Sequence, residues 1–95
     1  IVQIPFSGHS MDPIFKKTSS VWVDFSKDLK VDVGDVLLFR DLTNEWICHR
    51  LIWIDKDGYW LKGDANTQAE LIKDLQPWGR VSSIQRGERR IALRN

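Results

Sequence analysis

No unbroken apolar run in this chain exceeds a few residues, and Val36–Phe39 is among the longest. Apolar residues instead alternate with polar ones, and glycine, proline, serine or aspartate soon closes each segment. Alternation with a period of two in pieces this short belongs to strands that bury one face. It offers no membrane-spanning helix, which needs roughly 20 apolar residues. The segments Val2–Phe6, Val21–Phe25, Val36–Arg40, Glu45–Asp55, Tyr59–Lys62, Gly79–Gln85 and Arg90–Leu93 read as strands. Asp57-Gly58 supplies a hairpin turn between the fourth and fifth of them. One helical turn is expected at Met11–Phe15, with Pro13 inside its start, and Thr67–Leu75 reads as a weak helix. The pattern predicts a mainly β chain, folded as a sheet or small barrel of short strands.

At 95 residues the chain holds one domain, taken as residues 1–95. Leu, Ile, Val and Phe make up 29 of them, enough to fold around one modest core. Fourteen basic residues against 13 acidic ones leave a net charge of +1. That balance speaks against a broad electrostatic grip on nucleic acid. The lone Cys48 excludes an internal disulfide and any multi-cysteine zinc module, so no metal or cofactor is expected. Pro5, Ser7, Gly8 and His9 interrupt the first apolar stretch, so no signal peptide is read there. Five tryptophans are many for this length, and Trp22 and Trp53 are expected to fill the core.

Four residues stand out for their chemistry. Ser10 lies in Ser7-Gly8-His9-Ser10-Met11-Asp12-Pro13, between a strand and a turn. Gly8 lets the backbone come close to a substrate carbonyl. A serine hydroxyl needs a base within hydrogen-bond reach to act as a nucleophile. His49 fits that part: alternation sets it on one face with Ile47, Leu51 and Trp53, where burial favours the neutral imidazole. His9 is a rival base, but adjacent residues of an extended segment point apart. Asp64, in Gly63-Asp64-Ala65-Asn66, and Glu70 are both candidates to orient His49, and Asp64 is also placed to brace the Ser10 loop. Cys48 points to the face opposite His49 and lacks a base of its own. The arginines of Arg86–Arg94 are expected to keep an edge strand solvated.

In order, Gly8-His9-Ser10-Met11-Asp12-Pro13, Gly34-Asp35-Val36-Leu37-Leu38-Phe39, His49-Arg50-Leu51-Ile52 and Gly63-Asp64-Ala65-Asn66 resemble the boxes of one serine peptidase group. That group unites signal peptidase I with the LexA-type self-cleaving repressors. The resemblance runs from Gly8 to about Val81. It implies a folded β-sheet and an acyl-transfer peptidase with Ser10 as nucleophile and His49 as general base. A histidine in the base box, followed by Arg50, resembles the endoplasmic-reticulum and archaeal signal peptidases. Bacterial signal peptidases and LexA-type proteins use lysine there. Two departures matter. The hydroxyl residue that signal peptidases carry two places before the nucleophile is here Gly8, closer to LexA-type spacing. The resemblance then leaves the oxyanion to backbone N–H groups, and it places Gly8, Met11 and Pro13 at the substrate-binding side. The aspartate expected six residues beyond Asp64 is here Glu70.

The expected function is therefore a serine endopeptidase that cuts an extended peptide or protein substrate with small residues beside the scissile bond. The expected location is cytoplasmic, or the outer face of a membrane if an upstream anchor exists. The alternatives are a peptide-binding module without catalysis and a dimerisation domain of the same fold.

Overall fold

Alternation accounts for the architecture. The computed structural model, which describes residues 1–25, 30–40, 43–73 and 78–93, is all β. Eight strands run in the order β1 (Val2–Pro5), β2 (Ser20–Asp24), β3 (Val36–Arg40), β4 (Trp46–Asp55), β5 (Gly58–Lys62), β6 (Glu70–Ile72), β7 (Trp78–Arg86) and β8 (Arg89–Ala92). They form one antiparallel sheet with the spatial order β1-β2-β7-β3-β4-β5-β6, and β8 pairs with β7. Among the described residues no pairing joins β1 to β6, so the sheet they form is open and is not a closed barrel. No helix occurs among the described residues, and none of them forms a segment long and apolar enough to cross a membrane as a helix.

Apolar clusters cover both sides of the sheet. Met11, Phe15, Val21, Val23, Val36, Leu38, Cys48, Val81 and Ile84 form one. Leu37, Phe39, Leu51, Leu61 and Ile72 form the other. Strand β3 contributes alternate residues to each, which is why Val36–Phe39 reads as a continuous apolar run. The Met11–Phe15 segment is a turn, closed by a hydrogen bond from Phe15 N to the Met11 carbonyl at 3.1 Å. It lowers Met11 and Phe15 into the first cluster, where Phe15 meets Phe6 edge to face at 5.2 Å.

Two expectations are corrected. Residues 67–69 are irregular, and Glu70–Ile72 is strand β6, paired with β5 through Tyr59↔Ile72 and Leu61↔Glu70. A nine-residue helix is marginal alone, and a strand here buries Ile72 beside Leu61. Residues 74 and 75 of the expected helix lie outside the described residues. The second correction concerns β4. Arg50↔Lys62 and Leu51↔Leu61 keep one register, but Trp53 then faces Trp60 and Ile54 faces Tyr59. The extra residue is a β-bulge, and a one-residue slip turns side chains to the opposite face. Trp53 therefore leaves the face of His49. It does not fill the core either, since it is 60% exposed, and Trp22 is only partly buried.

Candidate active site

His49 lies before the bulge, on the face that carries Leu37, Leu51 and Leu61. It pairs with Leu37 across β3–β4, and its ring meets Phe39 edge to face at 6.2 Å. Its side chain keeps only 12% of its surface exposed. Glu70 reaches the same face because β6 pairs it with Leu61, which in turn faces Leu51. The result is a hydrogen bond of 2.7 Å between His49 Nδ1 and Glu70 Oε1. A carboxylate only accepts, so Nδ1 donates, and the neutral ring then presents its lone pair on Nε2. That is the tautomer a general base requires.

Asp64 serves another partner. It receives two parallel hydrogen bonds from Arg50, Nε to Oδ1 at 2.8 Å and Nη2 to Oδ2 at 2.9 Å. Arg50 is adjacent to His49 on β4, so alternation puts this pair on the opposite face of the sheet. The bond to Asp64 holds the Arg50 guanidinium above its ordinary pKa, while its partial burial pulls the other way. Arg50 Nη1 also donates to the Gly34 carbonyl at 2.7 Å. The choice left open between Asp64 and Glu70 thus divides: Glu70 orients His49, and Asp64 braces the loop.

That brace holds Ser10. Ala65 N donates to the Ser10 carbonyl at 2.8 Å, and Asp64 N contacts Met11 Sδ at 3.4 Å. Gly63 is the seat. A Cβ there would stand 2.6 Å from the Ser10 carbonyl oxygen and 2.9 Å from Ser10 Cβ, so only glycine admits this approach. Gly63 comes one step after Lys62, the last residue of β5, which pairs with Arg50 next to His49 in sequence. Ser10 therefore packs against the end of β5, one residue beyond the Arg50↔Lys62 pair. Among the described residues no hydrogen bond joins Ser10 Oγ to His49; such contacts are often long before substrate arrives.

The remaining candidates separate cleanly. Met11 is fully buried, so it anchors the loop in the core and does not line a substrate site as expected. Gly8 is exposed at φ +120°, a conformation that favours glycine, with nothing within 4 Å of a notional Cβ. Pro13 is exposed on the turn beyond. His9 points into solvent, with 93% of its side chain exposed, and bonds Asp12 at 3.1 Å. Burial pushes the Cys48 thiol up to about 12, so it stays protonated near neutrality. Among the described residues no group of three His, Cys, Asp or Glu side chains converges as a metal site.

On the face of Val21, Leu38 and Cys48, opposite that of His49, runs an apolar groove of about 490 Å³ that sequence reasoning missed. Residues 4–7 form one wall, and Trp46 and Cys48 belong to the other. Trp46 is held by the Arg40 guanidinium 4.7 Å above its ring. Among the described residues strand β1 pairs only with β2, and residues 46–49 of β4 pair only with β3. Each wall thus includes a strand with one edge unpaired among the described residues. Three kinds of comparison, with protein-family models, curated proteins and solved structures, return no match to this chain.

Proposed function

We propose that this chain is a serine endopeptidase acting on peptides bound in extended form. The peptide would bind as an added strand along an open sheet edge, with its scissile carbonyl at Ser10. His49 Nε2 takes the Ser10 proton as Oγ attacks that carbonyl carbon. The tetrahedral oxyanion is met by backbone N–H groups of the Ser10 loop. Its collapse expels the amine, which leaves with the proton His49 received, and water then releases the acyl group with His49 again as base. Glu70 holds the imidazole in register and stabilises its protonated form.

The observation that carries this reading is the 2.7 Å bond from His49 to Glu70, with Ser10 packed against Gly63 at the end of the neighbouring strand β5. A diverse peptide library, read by mass spectrometry, tests it with wild type beside Ser10→Ala and His49→Ala. Cuts that vanish in both variants, with the fold intact, support the reading; the same cuts in Ser10→Ala refute it. The groove with its two free edges also favours a second reading, a peptide-binding module. That reading requires peptides retained by wild type and recovered uncut.

A further inference from the structure

The turn that follows Ser10 carries a second concavity, of opposite character to the apolar groove. Pro13, Lys16, Lys17 and Arg86 line a hollow of about 370 Å³. Arg86 reaches it from β7, fixed there by donating Nη2 to the Ile14 carbonyl at 2.7 Å. Its Nε is buried and has no hydrogen-bond partner. The β7–β8 hairpin sets Arg89 directly across from Arg86. Like charges in opposed positions destabilise a strand pair. Lys17 adopts φ +62°, a backbone conformation uncommon for a residue with a side chain.

None of Lys16, Lys17, Arg86 and Arg89 is ion-paired with a carboxylate among the described residues. Glu88 sits in the turn of the same hairpin and is likewise exposed and unpaired among the described residues; Asp12 meets His9 through Oδ2, while its Oδ1 is buried with no partner among them. A chain with a net charge of only +1 has thus gathered four cations here at a cost in self-repulsion. A buried, unpartnered guanidinium N–H and a strained lysine accompany them. Each is unfavourable in the free protein, and an anion in the hollow relieves the repulsion. Planar guanidinium and mobile ammonium groups together suit a tetrahedral oxyanion.

We propose that Lys16, Lys17 and Arg86 form a binding site for a phosphoryl oxyanion, on the outer side of the Ser10 turn. The inference does not depend on peptidase activity. The test follows amide and arginine Nε–H resonances while inorganic phosphate is added, with chloride at matched ionic strength as control. A second arm measures co-sedimentation with vesicles of phosphatidylglycerol in phosphatidylcholine, against phosphatidylcholine alone. Saturable shifts at residues 14–17 and Arg86 with phosphate but not chloride are expected. The Lys16→Gln/Lys17→Gln variant should bind roughly tenfold more weakly, the scale of two exposed cation–oxyanion contacts. Both lysines are exposed and the rest of the spectrum reports the fold, so this variant stays informative where an Arg86 substitution disturbs Ile14. Pelleting with the anionic vesicles, lost in the variant, identifies a lipid headgroup as the source; phosphate binding without pelleting identifies a soluble phosphorylated ligand. Equal shifts from chloride and phosphate, undiminished binding by the variant, or no binding in either arm overturns the proposal.

Discussion

Gly63→Ala is the substitution whose consequence the geometry fixes most tightly. The added methyl would lie 2.6 Å from the Ser10 carbonyl oxygen, 2.8 Å from Asn66 Nδ2 and 2.9 Å from Ser10 Cβ. Ordinary contact begins at 3.4 Å, so the Ser10 backbone must retreat by the difference, about 0.8 Å. The Asn66 side chain can rotate away; the Ser10 carbonyl cannot, because it accepts from Ala65 N. Overpacking of this kind costs about 1–3 kcal/mol. In a domain of this size each kcal/mol lowers the melting temperature by roughly 4–8 °C. Misplacing a reacting group by about 1 Å can cost on the order of 100-fold in rate. Thermal unfolding, exchange of the Ala65 amide proton and peptide cleavage should therefore fall together in this variant. Calorimetry and hydrogen exchange keep the test clear of whether a substrate has been found. A variant as stable as wild type, with Ala65 equally protected, would refute the close approach and the seating of Ser10 built on it.

Three other outcomes are expected. Glu70→Gln keeps the side-chain length but no longer holds one tautomer of His49, so cleavage should drop about 10²–10⁴-fold with little change in melting temperature. Arg50→Met leaves Asp64 without its two-pronged partner in a partly buried site, and denaturant unfolding should register a loss of about 1–2 kcal/mol. Stability should decline in alkali because the folded Cys48 thiol keeps its proton up to about 12, against an ordinary value of 9.0. Below pH 9 both states are protonated and the contribution is complete. Above it the unfolded chain ionises first, and the loss reaches on the order of 4 kcal/mol by pH 12. Cys48→Ala should flatten that part of the pH profile in equilibrium unfolding, whatever its cost near neutrality.

The strands were legible because alternation is a local signal. Val36–Arg40 matches β3 to the residue, and the other strands expected from alternation differ by one residue at one end or at both. Glu70 was harder to place. Its neighbours read as a weak helix, in which it would face solvent. Its contact with His49 exists only because Tyr59–Leu61 recruits residues 70–72 as another strand. Pairing of that kind is decided across the sheet, and no window of sequence contains it. The bulge after Leu51 was equally hidden, and it is what turns Trp53 outward from a strand whose pattern predicted one continuous face. Asp64 was singled out as a candidate, yet its pairing with Arg50 was not foreseen. That pairing depends on the register that sets Arg50 across from Lys62, two residues before Asp64.

The seating of Ser10 has a consequence for how this molecule comes into being. Met11 meets Asp64 across 53 residues of sequence, and His49 meets Glu70 across 21. Neither contact can be made by a hairpin forming alone. Each waits for distant strands to find one another, after the entropy of closing long loops has been met. A chain still emerging from synthesis has the serine long before it has the histidine, and both before the glutamate. The three are gathered only as the sheet becomes whole. Their arrangement is then as cooperative as the fold itself, and it reports global unfolding more faithfully than a site borne on one loop, which frays by itself.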